Sequence, residues 1–129
     1  MALNEGEQIP ELRVTPDKYL PHRYAGASGD FNPIHIDDEF AKMVGLPRNI
    51  LHGLYSMGLV AKANAALAGG DPRALKRLSV QFRGMGMPEQ EIVVTGTVEE
   101  VDGNRVVVNP EATQNDMKLI KNARAELEL

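Results

Sequence analysis

Two side chains and one backbone amide are the groups in this sequence best suited to chemistry. Asp30 and His35 stand five positions apart, separated by Phe31, Asn32, Pro33 and Ile34. A carboxylate and an imidazole brought together can share the removal and delivery of a proton. Farther on, His52-Gly53 opens the most apolar helical stretch of the chain. The first N–H groups of a helix have no partner within it and point out along its axis. Aimed at a carbonyl, such an amide stabilises negative charge as it develops on the oxygen. Each feature alone has a plainer explanation. An Asp near Gly and Asn-Pro is ordinary turn chemistry, and His-Gly is an ordinary helix start. A metal site is not expected: His35, Asp37 and Asp38 offer ligand types, but His22 and His52 have no compelling spacing to them.

The elements that must position these groups follow from pattern. Ile9 to Val14 reads as a short edge strand around Pro10. Thr15-Pro16 resembles a helix start, and Tyr19, Leu20, Tyr24 and Ala27 recur at helical spacing, giving a helix over about 16–27. Pro21 conflicts with that start and moves it toward Leu20. Ser28-Gly29-Asp30 ends the helix, and Asn32 is biased away from helix by Pro33, so Asp30 and His35 are expected on a loop. Asp37-Asp38 caps a short helix to about Val44, stopped by Gly45 and Pro47. The central helix runs from His52 to about Ala68, apolar on nearly every side and therefore enclosed. Gly69-Gly70-Asp71-Pro72 breaks it.

The second half reads as strand: Leu75 to Met85, Glu91 to Val101, Arg105 to Val108 and Leu119 to Leu129, with turns at Asp102-Gly103 and Gln114-Asn115-Asp116. Four strands joined in this way predict an antiparallel meander, with the N-terminal strand as a possible fifth. One long helix on one curved sheet leaves an edge uncovered, so a homodimer is the expectation.

Composition narrows the class. The chain has 129 residues, enough for a single domain over 1–129, and is 43% hydrophobic but only 5% aromatic. A net charge of −4 argues against a nucleic-acid footprint. No cysteine occurs, so disulfides and thiol nucleophiles are excluded. The start MALNEGEQIPEL lacks the basic flank and apolar core of a signal peptide, and no run of roughly 18 apolar residues suggests a membrane span. A cytoplasmic location is the expectation.

The string YAGASGDFNPIHIDDEFAKMVG resembles the signature of the MaoC-like (R)-specific enoyl-CoA hydratases and (3R)-hydroxyacyl-thioester dehydratases. Tyr24, Ser28, Gly29, Asp30, Asn32, Pro33 and His35 match it, as does the helix opening Leu51-His52-Gly53-Leu54. The resemblance implies an α+β hot-dog fold, an antiparallel sheet wrapped around a long helix and paired into a dimer. It implies Asp30 and His35 as the catalytic pair that activates water, the Gly53 amide as holder of the thioester carbonyl, and Asn32 and His52 as substrate-binding residues. No cofactor is implied. The substrate would be an acyl-CoA or acyl-carrier-protein thioester, and the partner a second copy or a related hot-dog chain. The chain departs from the family where a Pro-Gly-Asp-like turn is usual, reading Met87-Pro88-Glu89-Gln90 instead.

Two other readings compete. A hot-dog thioesterase would need a carboxylate on or near the central helix, and none lies between Gly53 and Ala68. A non-catalytic acyl-thioester-binding or partner subunit would not need the intact Asp–His pair.

Overall fold

A computed structural model describes residues 3–129. Its five strands are β1 (Leu12–Val14), β2 (Leu75–Phe82), β3 (Ile92–Asp102), β4 (Arg105–Gln114) and β5 (Met117–Glu128). Its α-helices are α1 (Leu20–Ser28), α2 (Pro33–Ile36), α3 (Asp38–Met43) and α4 (Gly53–Ala65). The strands form one antiparallel sheet in the order β1-β3-β4-β5-β2.

That order corrects the four-strand meander. β3, β4 and β5 do follow one another, and β1 adds to β3 as the fifth strand. β2, however, pairs with β5 at the far edge instead of with β3. The connection over 83–91 is too long for a tight hairpin, and its backbone is engaged elsewhere. Gly86 accepts a hydrogen bond from the Leu51 amide at 2.8 Å, and the Glu89 amide donates to Pro16 at 2.6 Å. β4 also runs past its expected end at Val108. Pro110 stops nothing, because the β4–β5 ladder is interrupted between Val108 and Ala112. A proline is tolerated at such a bulge, where its missing N–H leaves no bond unmade.

The sheet curves around α4. On β3 the buried side alternates strictly through Ile92, Val94, Gly96 and Val98, as one buried sheet face requires. Leu59, Val60 and Ala63 of α4 pack against this face together with Val108, Ile120 and Ala125. Gly96 is needed for close approach: a Cβ there would lie 2.9 Å from Ile9 Cδ1 and 3.0 Å from Val108 Cγ1. The expected helical stretch to Ala68 splits, with α-helix to Ala65 and a 3-10 turn over Ala66–Ala68.

The segment before α4 keeps the start that Pro21 dictated and departs from expectation at His35. The first helix starts at Leu20 with Pro21 in its first turn, where a missing N–H costs nothing. His35 lies on a helical turn, not on a loop. Pro33 keeps Asn32 extended, and the Asn32 side chain then caps α2 by accepting from the Ile34 amide at 3.2 Å. The Asp37 side chain caps α3 through the Phe40 amide at 3.1 Å, as expected for an Asp-Asp helix start.

Ile120 is fully enclosed between α4 and the sheet. Ile120→Ala is expected to lower unfolding free energy by about 2–5 kcal/mol, the range for emptying a packed aliphatic site, measured by urea denaturation.

Candidate active site

The loop between α1 and α2 fixes Asp30 atom by atom. Gly29 closes α1 in the left-handed region at φ 79°, its amide bonded to Ala25. The Asp30 amide then donates to Ser28 Oγ at 3.1 Å, and Asp30 Oδ1 accepts from the Asn32 amide at 3.2 Å. The Asp30 carbonyl accepts from His52 Nε2 at 3.0 Å. Oδ2 is left over, and it faces Nε2 of His35 across 4.0 Å.

His35 is held as fully. Its ring Nδ1 lies 2.9 Å from the Ile50 carbonyl, which can only accept. Nδ1 therefore carries the hydrogen, and in the neutral ring Nε2 is the free acceptor. The His35 carbonyl accepts from Asn49 Nδ2 at 2.9 Å. The ring stacks on His52 with centroids 3.9 Å apart and planes at 21°. The His35 side chain is 10% exposed and that of Asp30 54%, so the pair joins a sheltered imidazole to a wet carboxylate.

Beside this pair lies a cavity of about 180 Å³. His35, Gly53, Ser56, Phe82, Met85 and Leu119 are among its walls. Gly53 is the first residue of α4, and its amide has no hydrogen-bond partner among the described residues. A Cβ at Gly53 would stand 3.2 Å from the Phe82 ring, so glycine lets strand β2 close over the helix end.

Asn32 and His52, expected to bind substrate, are engaged elsewhere. The Asn32 side chain caps α2 and is not part of the cavity wall. The His52 ring lies between His35 and Tyr24, the latter centroid at 4.6 Å, and spends Nε2–H on Asp30. Its Nδ1 is enclosed with no partner among the described residues. Both residues shape the frame that carries Asp30.

Asp30, His35 and His52 place potential ligand atoms within 4.8 Å of one another, a grouping not foreseen from His35, Asp37 and Asp38. Near-parallel stacking confines the lone pairs of the two rings to near-parallel planes, whereas a bound cation needs ligands that converge.

Three contributors were not legible in the sequence. The Ile50 carbonyl and the buried Asn49 side chain act through contacts to His35 made across 15 and 14 residues respectively. Phe82 arrives from a distant strand. Asn49 left one signal, an amide among apolar neighbours in Arg48-Asn49-Ile50-Leu51. Its own amide donates to Asp38 Oδ1 at 3.1 Å. The Lys42 ammonium, and next the Asn49 amide, hold the Asp38 carboxyl below the usual carboxylate range.

Fold and site together define a hot-dog domain with a carboxylate–imidazole pair beside a helix N-terminus. The family model described as MaoC like domain matches residues 4–119, and the chain belongs to that family. It is 35% identical over 113 residues to the peroxisomal enoyl-CoA hydratase 2 of Arabidopsis thaliana, covering 87% of this chain and 35% of that protein. It superposes on a MaoC-like dehydratase structure with a TM-score of 0.92 and 29% identity, over 98% of this chain and 41% of the other. The (R)-hydratase from A. caviae involved in PHA biosynthesis shares the fold, with a TM-score of 0.89 at 19% identity over 99% of this chain and 98% of that one. The chain spans well under half the length of the curated relatives it matches first.

Two outcomes follow from the frame. His52→Ala leaves the Asp30 carbonyl without its donor and should cost about 1–3 kcal/mol of stability by urea denaturation. Because the folded Asp38 carboxyl is depressed, its stabilising effect is present above the ordinary carboxylate range and lost as pH falls through the lowered value. Asp38→Asn should flatten the acid-side decline when melting temperature is followed from about pH 5 to pH 2.

Proposed function

We propose that this chain catalyses (R)-specific addition of water to trans-2-enoyl thioesters, of coenzyme A or a carrier protein, and the reverse dehydration of (R)-3-hydroxyacyl thioesters. The observation that carries the reading is the 4.0 Å separation of Asp30 Oδ2 and His35 Nε2 beside a cavity that Gly53 also lines. That gap is too long for a direct hydrogen bond, and one water at about 2.8 Å from each group spans it. Ionised Asp30 and neutral His35 both accept, so the water donates one hydrogen to each. Its lone pairs are then turned outward, toward the β-carbon of a bound enoyl group.

As the C–O bond forms, the pair takes the proton that water loses. Electrons of the double bond move toward the thioester carbonyl, whose oxygen gains enolate charge. In this reading the Gly53 amide, at the start of α4 and on the cavity wall, holds that oxygen. The proton returns to the α-carbon from the same face. No atom is gained or lost beyond one water. Hydrolysis of the thioester is less well served, because α4 brings no carboxylate to the site.

Self-association fits the same reading. β2 ends the sheet with an unpaired edge of eight residues, while β1 at the other end has three. Pairing along β2 with a second copy, or with a related hot-dog chain, would cover the half-exposed Phe82 and Met85 at the mouth of the cavity.

With crotonyl-CoA as substrate, loss of the enoyl absorbance measures the reaction, and chiral analysis of the product should give the R alcohol. Asp30→Asn and His35→Ala should each lower the rate by at least about a hundredfold. Full activity in either variant, or release of free CoA without hydration, would overturn the assignment.

A further inference from the structure

The cavity beside His35 has one open side and one closed side. Phe82 and Met85 are 49% and 44% exposed, and they mark the mouth. Leu51 and Leu119 are 3% and 2% exposed, and they mark the blind end. The loop residue Gly86 completes that end at close quarters. A Cβ on it would lie 3.1 Å from Leu51 Cδ1 and 3.3 Å from Leu119 Cδ1. The wall is therefore already in contact, and the Leu51 amide bonded to the Gly86 carbonyl at 2.8 Å fastens it. Gln114 fastens the same loop from the other side, accepting from the Met87 amide at 2.8 Å and donating to the Met87 and Gln90 carbonyls at 2.9 Å each. A pocket end built from fastened backbone and buried leucines does not lengthen easily.

Resting on the hydratase reading, we infer that Leu119, with Leu51 and Gly86, sets an upper limit on acyl length and makes this chain selective for short 2-enoyl groups, ending near six carbons. The carrier is bulky and must stay outside the mouth, so the acyl tail points to the blind end. An apolar cavity of about 150 Å³ takes the six carbons of benzene, which scales to about seven heavy atoms in the space here. The reacting unit of carbonyl carbon, carbonyl oxygen, α-carbon and β-carbon uses four of them. About three carbons remain, which is the tail of a hexenoyl group.

The limit is visible as a reversal of trend. In an open apolar channel each added methylene improves binding by about fourfold. A closed end turns that gain into overpacking.

The test is kcat/KM for the crotonyl, hexenoyl, octenoyl and decenoyl thioesters of CoA, with the full chain. The inference expects a maximum at crotonyl or hexenoyl and a fall of at least about tenfold to decenoyl. Leu119→Ala should raise the decenoyl-to-crotonyl ratio by about tenfold. Leu119→Val removes less volume, should shift the ratio in the same direction, and serves if the alanine variant does not fold. Decenoyl-CoA turned over as well as crotonyl-CoA by the unmodified chain would overturn the length limit and leave the hydratase reading standing. An unchanged ratio in a folded Leu119 variant would overturn the role of Leu119. Hydration of none of the four substrates would overturn the hydratase reading and this inference with it.

Discussion

The hydrogen bond from His35 Nδ1 to the Ile50 carbonyl governs the rest of the site, because it decides which ring nitrogen is free. The strand of backbone that supplies it is itself doubly tied. The Ile50 amide donates to the Ile34 carbonyl at 3.0 Å and the Leu51 amide to Gly86 at 2.8 Å. Residues 50 and 51 thus join α2, the loop after β2 and the start of α4. Imidazole orientation, cavity wall and helix N-terminus are set by one short stretch. Fixed donors and acceptors of this kind need no rearrangement while charge moves, which is the source of most electrostatic stabilisation in enzymes.

His52 shows how the frame trades stability for placement. Its buried Nδ1 lacks a partner among the described residues, a cost on the order of 1–3 kcal/mol for a polar group of this kind. In return, its Nε2–H holds the Asp30 carbonyl and its ring backs that of His35. Tyr24 closes the other face of the stack and meets Tyr55 of α4 edge-on, with centroids 6.0 Å apart. The aromatic at the head of the signature string is thereby linked to the carboxylate six positions later through a ring on α4's threshold.

Backbone takes the place of side chains where the cavity must stay open. At Gly53 any Cβ would press the Phe82 ring, and at Gly84 it would lie 2.8 Å from the Lys118 carbonyl. These glycines are not turn residues with positive φ. They are points where two elements approach too closely for a methyl group. At Gly53 this close approach sets the end of strand β2 directly against the start of α4.

Much of this was local and therefore readable from the chain. The Gly29-Asp30 exit from α1, the cap provided by Asp37, the enclosed character of α4, and the strand periods of β3 and β5 all follow from neighbours a few residues apart. The string around Asp30 and His35 is likewise a local constraint: proline after Asn32 and glycine before Asp30 leave the backbone few options. Sequence alone could not place β2 beside β5, since that choice depends on where the 83–91 loop finds hydrogen-bond partners. Nor could it say that His52 would turn inward to Asp30, that Ile50 would fix the tautomer of His35, or that Leu119 would line the same cavity as His35. Those contacts span from 15 to 84 residues along the chain. They are made only when the sheet has curled around α4, because packing, not local preference, brings such distant groups within a few ångströms of each other.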